Sequence, residues 1–85
     1  MKKQLIAILD SGRDFINDLM ENTEYMVVIE TFDDMSSFGY FSKEVNRGVS
    51  TSIDCTLYNR KLNQYKQALI EYDMYDEEIR VYVKW

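Results

Sequence analysis

The first stretch of the chain has a helical rhythm. Over residues 3–21, Leu5, Ile8, Leu9, Gly12, Phe15, Ile16, Leu19 and Met20 follow i, i+3, i+4 and i+7 spacing, that of one buried helix face. Gly12 falls on that face and costs up to ~1 kcal/mol of helix propensity, which a close approach to another element would explain. Asn22 and Thr23 end the element. Residues 25–32 are β-branched and aromatic, and Met26 to Ile29 are continuously apolar, which predicts a central strand. Asp33, Asp34, Ser36 and Ser37 are N-cap types and Gly48 is a C-terminal stop, so residues 33–48 read as a helix with Phe38, Phe41 and Val45 on one face. Gly39 interrupts that pattern and leaves an aromatic-rich loop as the alternative.

The second half alternates. Thr51, Ile53, Cys55 and Leu57 lie on one side of residues 51–58 and Ser52, Asp54, Thr56 and Tyr58 on the other, the signature of a half-buried strand. Asn59 is positioned to cap a helix over 60–73, where Leu62, Tyr65, Leu69 and Tyr72 share a face and Gln67, Ala68, Leu69 and Glu71 favour helix. The same residues also fit a strand followed by a turn at Asp73–Glu77. Ile79, Val81, Val83 and Trp85 against Arg80, Tyr82 and Lys84 form the clearest strand. The expectation is one α+β domain over residues 1–85. Its order is α-β-α-β-α-β, a small three-stranded sheet packed against an N-terminal helix and one or two further helices. The alternative is α-β followed by an antiparallel meander.

Composition bounds the class. The 85 residues suffice for one domain, and 46% apolar content is that of a globular protein. No apolar run nears the ~20 residues of a membrane helix. Lys2 and Lys3 before Leu5–Leu9 resemble the start of a secretory signal, but the run stops at Asp10 without a small-residue cleavage site, so it reads as helix. The single cysteine, Cys55, rules out an internal disulfide, and an unstapled domain of this size favours a reducing cytoplasm. In size, acidity and lack of histidine and proline the chain resembles small phage or mobile-element accessory proteins, a likeness of composition that assigns no residues.

The absent residue types exclude chemistry. Without histidine there is no Ser-His-Asp or Cys-His arrangement and no thiolate–imidazole zinc shell. The three glycines are dispersed, so no phosphate loop forms, and no calcium loop matches. The reading is a non-enzyme without cofactor or metal. Asp10, Asp14 and Asp18, four apart, would stack on one face of the first helix, as a solvated face, a contact for a basic partner or a weak magnesium ladder.

Charge carries what remains. The net charge of −5 is segregated: residues 1–42 hold eight acids and three bases, 43–66 two acids and five bases, and 67–85 five acids and two bases. An acidic total argues against nucleic-acid binding, with Tyr58-Asn59-Arg60-Lys61 through Tyr65-Lys66 the one basic–aromatic stretch suited to it. Glu71, Tyr72, Asp73, Tyr75, Asp76 and Glu77 combine carboxylates with tyrosine, a composition that suits steered protein contact. Seven tyrosines exceed what so small a core can bury. The leading expectation is a cytoplasmic inhibitor or decoy that sets an acidic face, from Asp10, Asp14 and Asp18 or from the 71–77 cluster, on a basic surface of another protein. The runner-up is a self-assembling homodimer through a helix face or strand edge, with the last strand as the edge. A carboxylate-dependent magnesium enzyme is the distant third.

Overall fold

The computed structural model describes residues 2–85. Its centre is an antiparallel meander of β3 (Thr51–Asn59), β4 (Gln64–Asp73) and β5 (Glu78–Lys84). β1 (Lys3–Asp10) adds to the outside of β5, and the short β2 (Tyr25–Val27) to the outside of β3, giving the order β1-β5-β4-β3-β2. The sheet curls into a half-barrel. Helices α1 (Phe15–Asn22) and α2 (Phe32–Asn46) fill its concave face. The expected three-stranded sheet is therefore replaced by five antiparallel strands and two helices. No helix among the described residues is long and apolar enough to cross a membrane.

The first correction is the N-terminal helix. Residues 3–10 are a strand, and a bulge between Leu5 and Ala7 explains why they look helical. The register pairs Leu5 with Tyr82 and Ile8 with Arg80, on the outer face, while Ala7 and Leu9 oppose Val81 and Ile79, on the core side. One inserted residue thus gives a strand the i, i+3 spacing of a helix on one face. The helix itself begins later. Asp10 Oδ1 accepts from Gly12 N–H at 2.8 Å, which turns the chain, and Asp14 caps α1 by accepting from Asn17 N–H at 3.3 Å.

The second correction is residues 60–73. Asn59 does accept from the next amides, Lys61 and Leu62 N–H, both at 3.0 Å. That cap closes a four-residue turn ending at Asn63 (φ 54°), and the chain returns as β4. Pairing with strands on both sides outweighs the helix propensity of Gln67 to Glu71. The strand reading with a turn before Glu78 is the one the chain adopts here.

The third is residues 25–32. The strand stops at Val27 and lies at an edge. The next residues serve α2: Asp34 N–H donates to Thr31 Oγ1 (3.1 Å), and Glu30 and Thr31 N–H donate back to Asp34 Oδ2 (3.1 and 3.2 Å). At its far end Gly48 takes φ 72° and the Gly48 and Val49 amides bond Val45 and Glu44 carbonyls, a Schellman closure. The core joins Leu19 and Phe41 from the helices to Leu57, Ile70, Ile79 and Val81 from the sheet, all fully buried. Phe15 meets Phe41 edge to face at 5.3 Å.

Candidate protein-binding surface

The carboxylates singled out by spacing are not stacked. Asp10 ends β1, Asp14 is the α1 cap, and Asp18, in the first turn of α1, sits 3.5 Å from Arg13 Nε. The expected three-carboxylate helix face does not exist, because its first member lies on a strand. Among the described residues no group of three acids or thiols is placed to hold a metal ion.

The second cluster forms the β4–β5 turn, and most of its charge is spent internally. Asp73 Oδ1 accepts from Tyr75 N–H (2.8 Å) and Asp76 N–H (3.4 Å). Arg80 binds Asp73 at 3.1 Å, Asp76 at 2.6 Å and Glu78 at 3.1 Å. The Tyr75 amide first, then Arg80, hold the Asp73 carboxyl below its ordinary range, and the three carboxylates push Arg80 up. Glu71 reaches Lys3 at 3.3 Å. Tyr72 faces the core, whereas Tyr75 and Glu77 stay exposed at the turn.

In the basic stretch, Arg60 is likewise occupied. Arg60 Nη2 donates to the carbonyls of Met20 and Thr23, both at 2.6 Å, and so closes the C-terminal end of α1. Tyr58 and Tyr65 pair at 5.0 Å, and the Tyr58 hydroxyl donates to Asn63 Oδ1. Burial first, and then Asp54, pushes the Cys55 thiol up to about 12, so it carries no thiolate at neutral pH.

The surface that spacing missed is the outward face of α2. Phe32 is 80% exposed, Met35 62% and Tyr40 59%, with Phe32 opposite the buried Phe38, Phe41 and Val45 and the other two at the sides of the helix. Gly39 lies between them, with nothing within 4 Å of where a Cβ would stand. The sequence carried part of the signal: once Phe38, Phe41 and Val45 define the inner face, Phe32 falls opposite them, whereas Met35, three residues before Phe38, falls at the margin of that stripe and only the structure shows it exposed. The acidic excess lies on the segment that leads into this helix. Residues 10–34, which build the turn, α1, β2 and the start of α2, hold eight acids against the single base Arg13. Glu30 and Asp33 flank Phe32 in sequence, and both are exposed.

No protein-family model, curated protein or solved structure matches this chain.

Proposed function

We propose that this protein acts by binding a second protein through the outward face of α2, with the acids of residues 10–34 as the surrounding field. The partner offers an apolar recess for Phe32 and Met35, rimmed by basic groups. By covering that basic surface the protein works as an inhibitor or decoy. The observation that carries the reading is the exposure of Phe32 on the outward side of α2, with exposed Met35 and Tyr40 to either side of it around the helix. Large apolar side chains held rigidly on a helix are the usual anchors of a protein interface, and surrounding charge speeds and orients the encounter. The Asp73–Asp76–Glu78 cluster is a weaker candidate, since Arg80 already engages its carboxylates.

The test is capture from a lysate of the source cells, followed by titration of the recovered partner. Phe32→Ala with Met35→Ala is expected to weaken binding by about 2 kcal/mol or more, roughly thirtyfold in Kd. Glu30→Gln with Asp33→Asn is expected to slow association and flatten its salt dependence while leaving dissociation nearly unchanged. Full binding by the Phe32/Met35 variant, with loss on changing Asp76 and Glu77, would move the site to the β4–β5 turn.

A further inference from the structure

The free edge of β1 has a self-complementary pattern. Among the described residues β1 pairs with β5 on one side and with no strand on the other. Lys2 and Trp85 exchange both backbone hydrogen bonds, at 3.1 and 3.0 Å. Bonded and non-bonded pairs alternate in an antiparallel ladder, so Lys3 and Leu5 turn their N–H and C=O groups to the free side. Beyond the bulge the same alternation brings Ile8 and Asp10 to that side. The register with β5 puts these same four residues, opposite Lys84, Tyr82, Arg80 and Glu78, on the outer face of the sheet. Leu5 is 44% exposed and Ile8 55%. A groove walled by Gln4, Leu5 and Ile6 on one side and Asn22 to Tyr25 on the other leaves room beside the edge.

The sequence of these four is palindromic in chemistry: a cation, an apolar residue, the bulge, an apolar residue, an anion. We infer that β1 pairs antiparallel with β1 of a second copy, about a two-fold axis at the bulge, so that two sheets join edge to edge. In this register Lys3 of each copy faces Asp10 of the other, and Leu5 faces Ile8. The arrangement is isologous and closes at two copies. Charge complementarity selects it. The two ion pairs and two apolar pairs arise only from this antiparallel alignment, whereas a parallel alignment would oppose Lys3 to Lys3 and Asp10 to Asp10. The bulge is what makes the alignment symmetric. Without the extra residue Leu5 and Ile8 would point to opposite faces and could not meet across the axis. Lys3 is shared with Glu71 and the Tyr82 ring, and Asp10 with the Gly12 amide. The inference does not use the α2 face, so either can fail alone.

Light scattering over a concentration series tests it. The wild type is expected to pass from the 10.2 kDa chain mass to twice that value. Lys3→Glu alone and Asp10→Lys alone each create two like-charge pairs and are expected to weaken dimerisation by about tenfold. Mixed in equal amounts, the two variants restore both pairs and are expected to form a heterodimer neither forms by itself. Ile8→Glu, at an exposed position the monomer tolerates, is expected to stay monomeric with unchanged circular dichroism. Three results overturn the inference: a wild type that is monomeric at every concentration, a dimer indifferent to Ile8→Glu, or singly folded variants whose mixture does not recover. Protection of β1 amides from exchange only when lysate is added would put a foreign strand on the edge, and overturns it too.

Discussion

Arg80 shows how a charge that spacing marks for a partner can be used at home. It sits under the β4–β5 turn and ties together Asp73, Asp76 and Glu78. Asp73 also receives two turn amides. Its lowered native value means that the folded chain binds fewer protons than the unfolded chain at mildly acid pH. The stability it contributes is therefore present above its unfolded value of about 4 and is lost as pH falls through the native value. The urea midpoint of the wild type is expected to fall more steeply on acidification below about pH 4 than that of Asp73→Asn. Asp34, lowered first by the Glu30 and Thr31 amides, keeps part of the slope in the variant. Coincident pH profiles would remove Asp73 from the account. Cys55 gives a second expectation at this scale. With its thiol pushed up to about 12, a thiol reagent at neutral pH is expected to label it only as urea unfolds the chain, in step with the loss of circular dichroism.

Among the elements, two glycines of α2 predict opposite outcomes. Gly48 closes the helix at φ 72°, where a side chain is strained, so Gly48→Ala is expected to destabilise by about 1 kcal/mol. Gly39 sits inside the helix with open space around it, so Gly39→Ala is expected to stabilise by about 0.5–1 kcal/mol. Thermal melts of both variants check the signs. If the proposed partner packs closely on the α2 face, Gly39→Ala also weakens its binding while strengthening the fold. The elements differ in how far the sequence alone revealed them, and the reasons are local. α2, β3 and β5 were legible because the Gly48 stop and the alternation agree with the tertiary structure, although α2 is capped by Thr31, ahead of the Asp33, Asp34, Ser36 and Ser37 that spacing offered. β1 was not, because a bulge imitates helical spacing. β4 was ambiguous because Asn59 caps a turn with the same amide bonds it would give a helix. The acids of the β4–β5 turn were visible as charge, but which of them Arg80 engages depends on a turn geometry that composition does not encode. The exposure of Phe32 and Met35 is not encoded by spacing, because Met35 shares the i, i+3 stripe of Phe38 and only the packed sheet decides where that stripe ends.

Across the whole molecule, charge and topology divide the labour. The acidic excess lies on the segment carrying α1, β2 and the start of α2, while the outer sheet face is laced by Lys3–Glu71, Lys84–Asp54 and the Arg80 cluster. Lys3 also lies 4.4 Å from the centre of the Tyr82 ring, so its stem and charge cross β5 to reach β4. Topology sets the order in which this can assemble. The β3–β4–β5 meander is joined by two four-residue turns, whereas β1 must find β5 from the other end of the chain. Loop closure makes the second step the more costly one before contacts reward it. The meander is therefore expected to be formed in the folding transition state and β1 to dock afterwards. Ile70→Val and Val81→Ala, in the meander, should slow folding with φ of about 0.5 or more. Leu9→Ala, on the core side of β1, should mainly speed unfolding, with φ below about 0.3. Chevron plots of the three variants decide the order. A high φ at Leu9 with low values in the meander would mean that the two ends meet first, and that the edge proposed for self-pairing is the earliest part of the sheet to form.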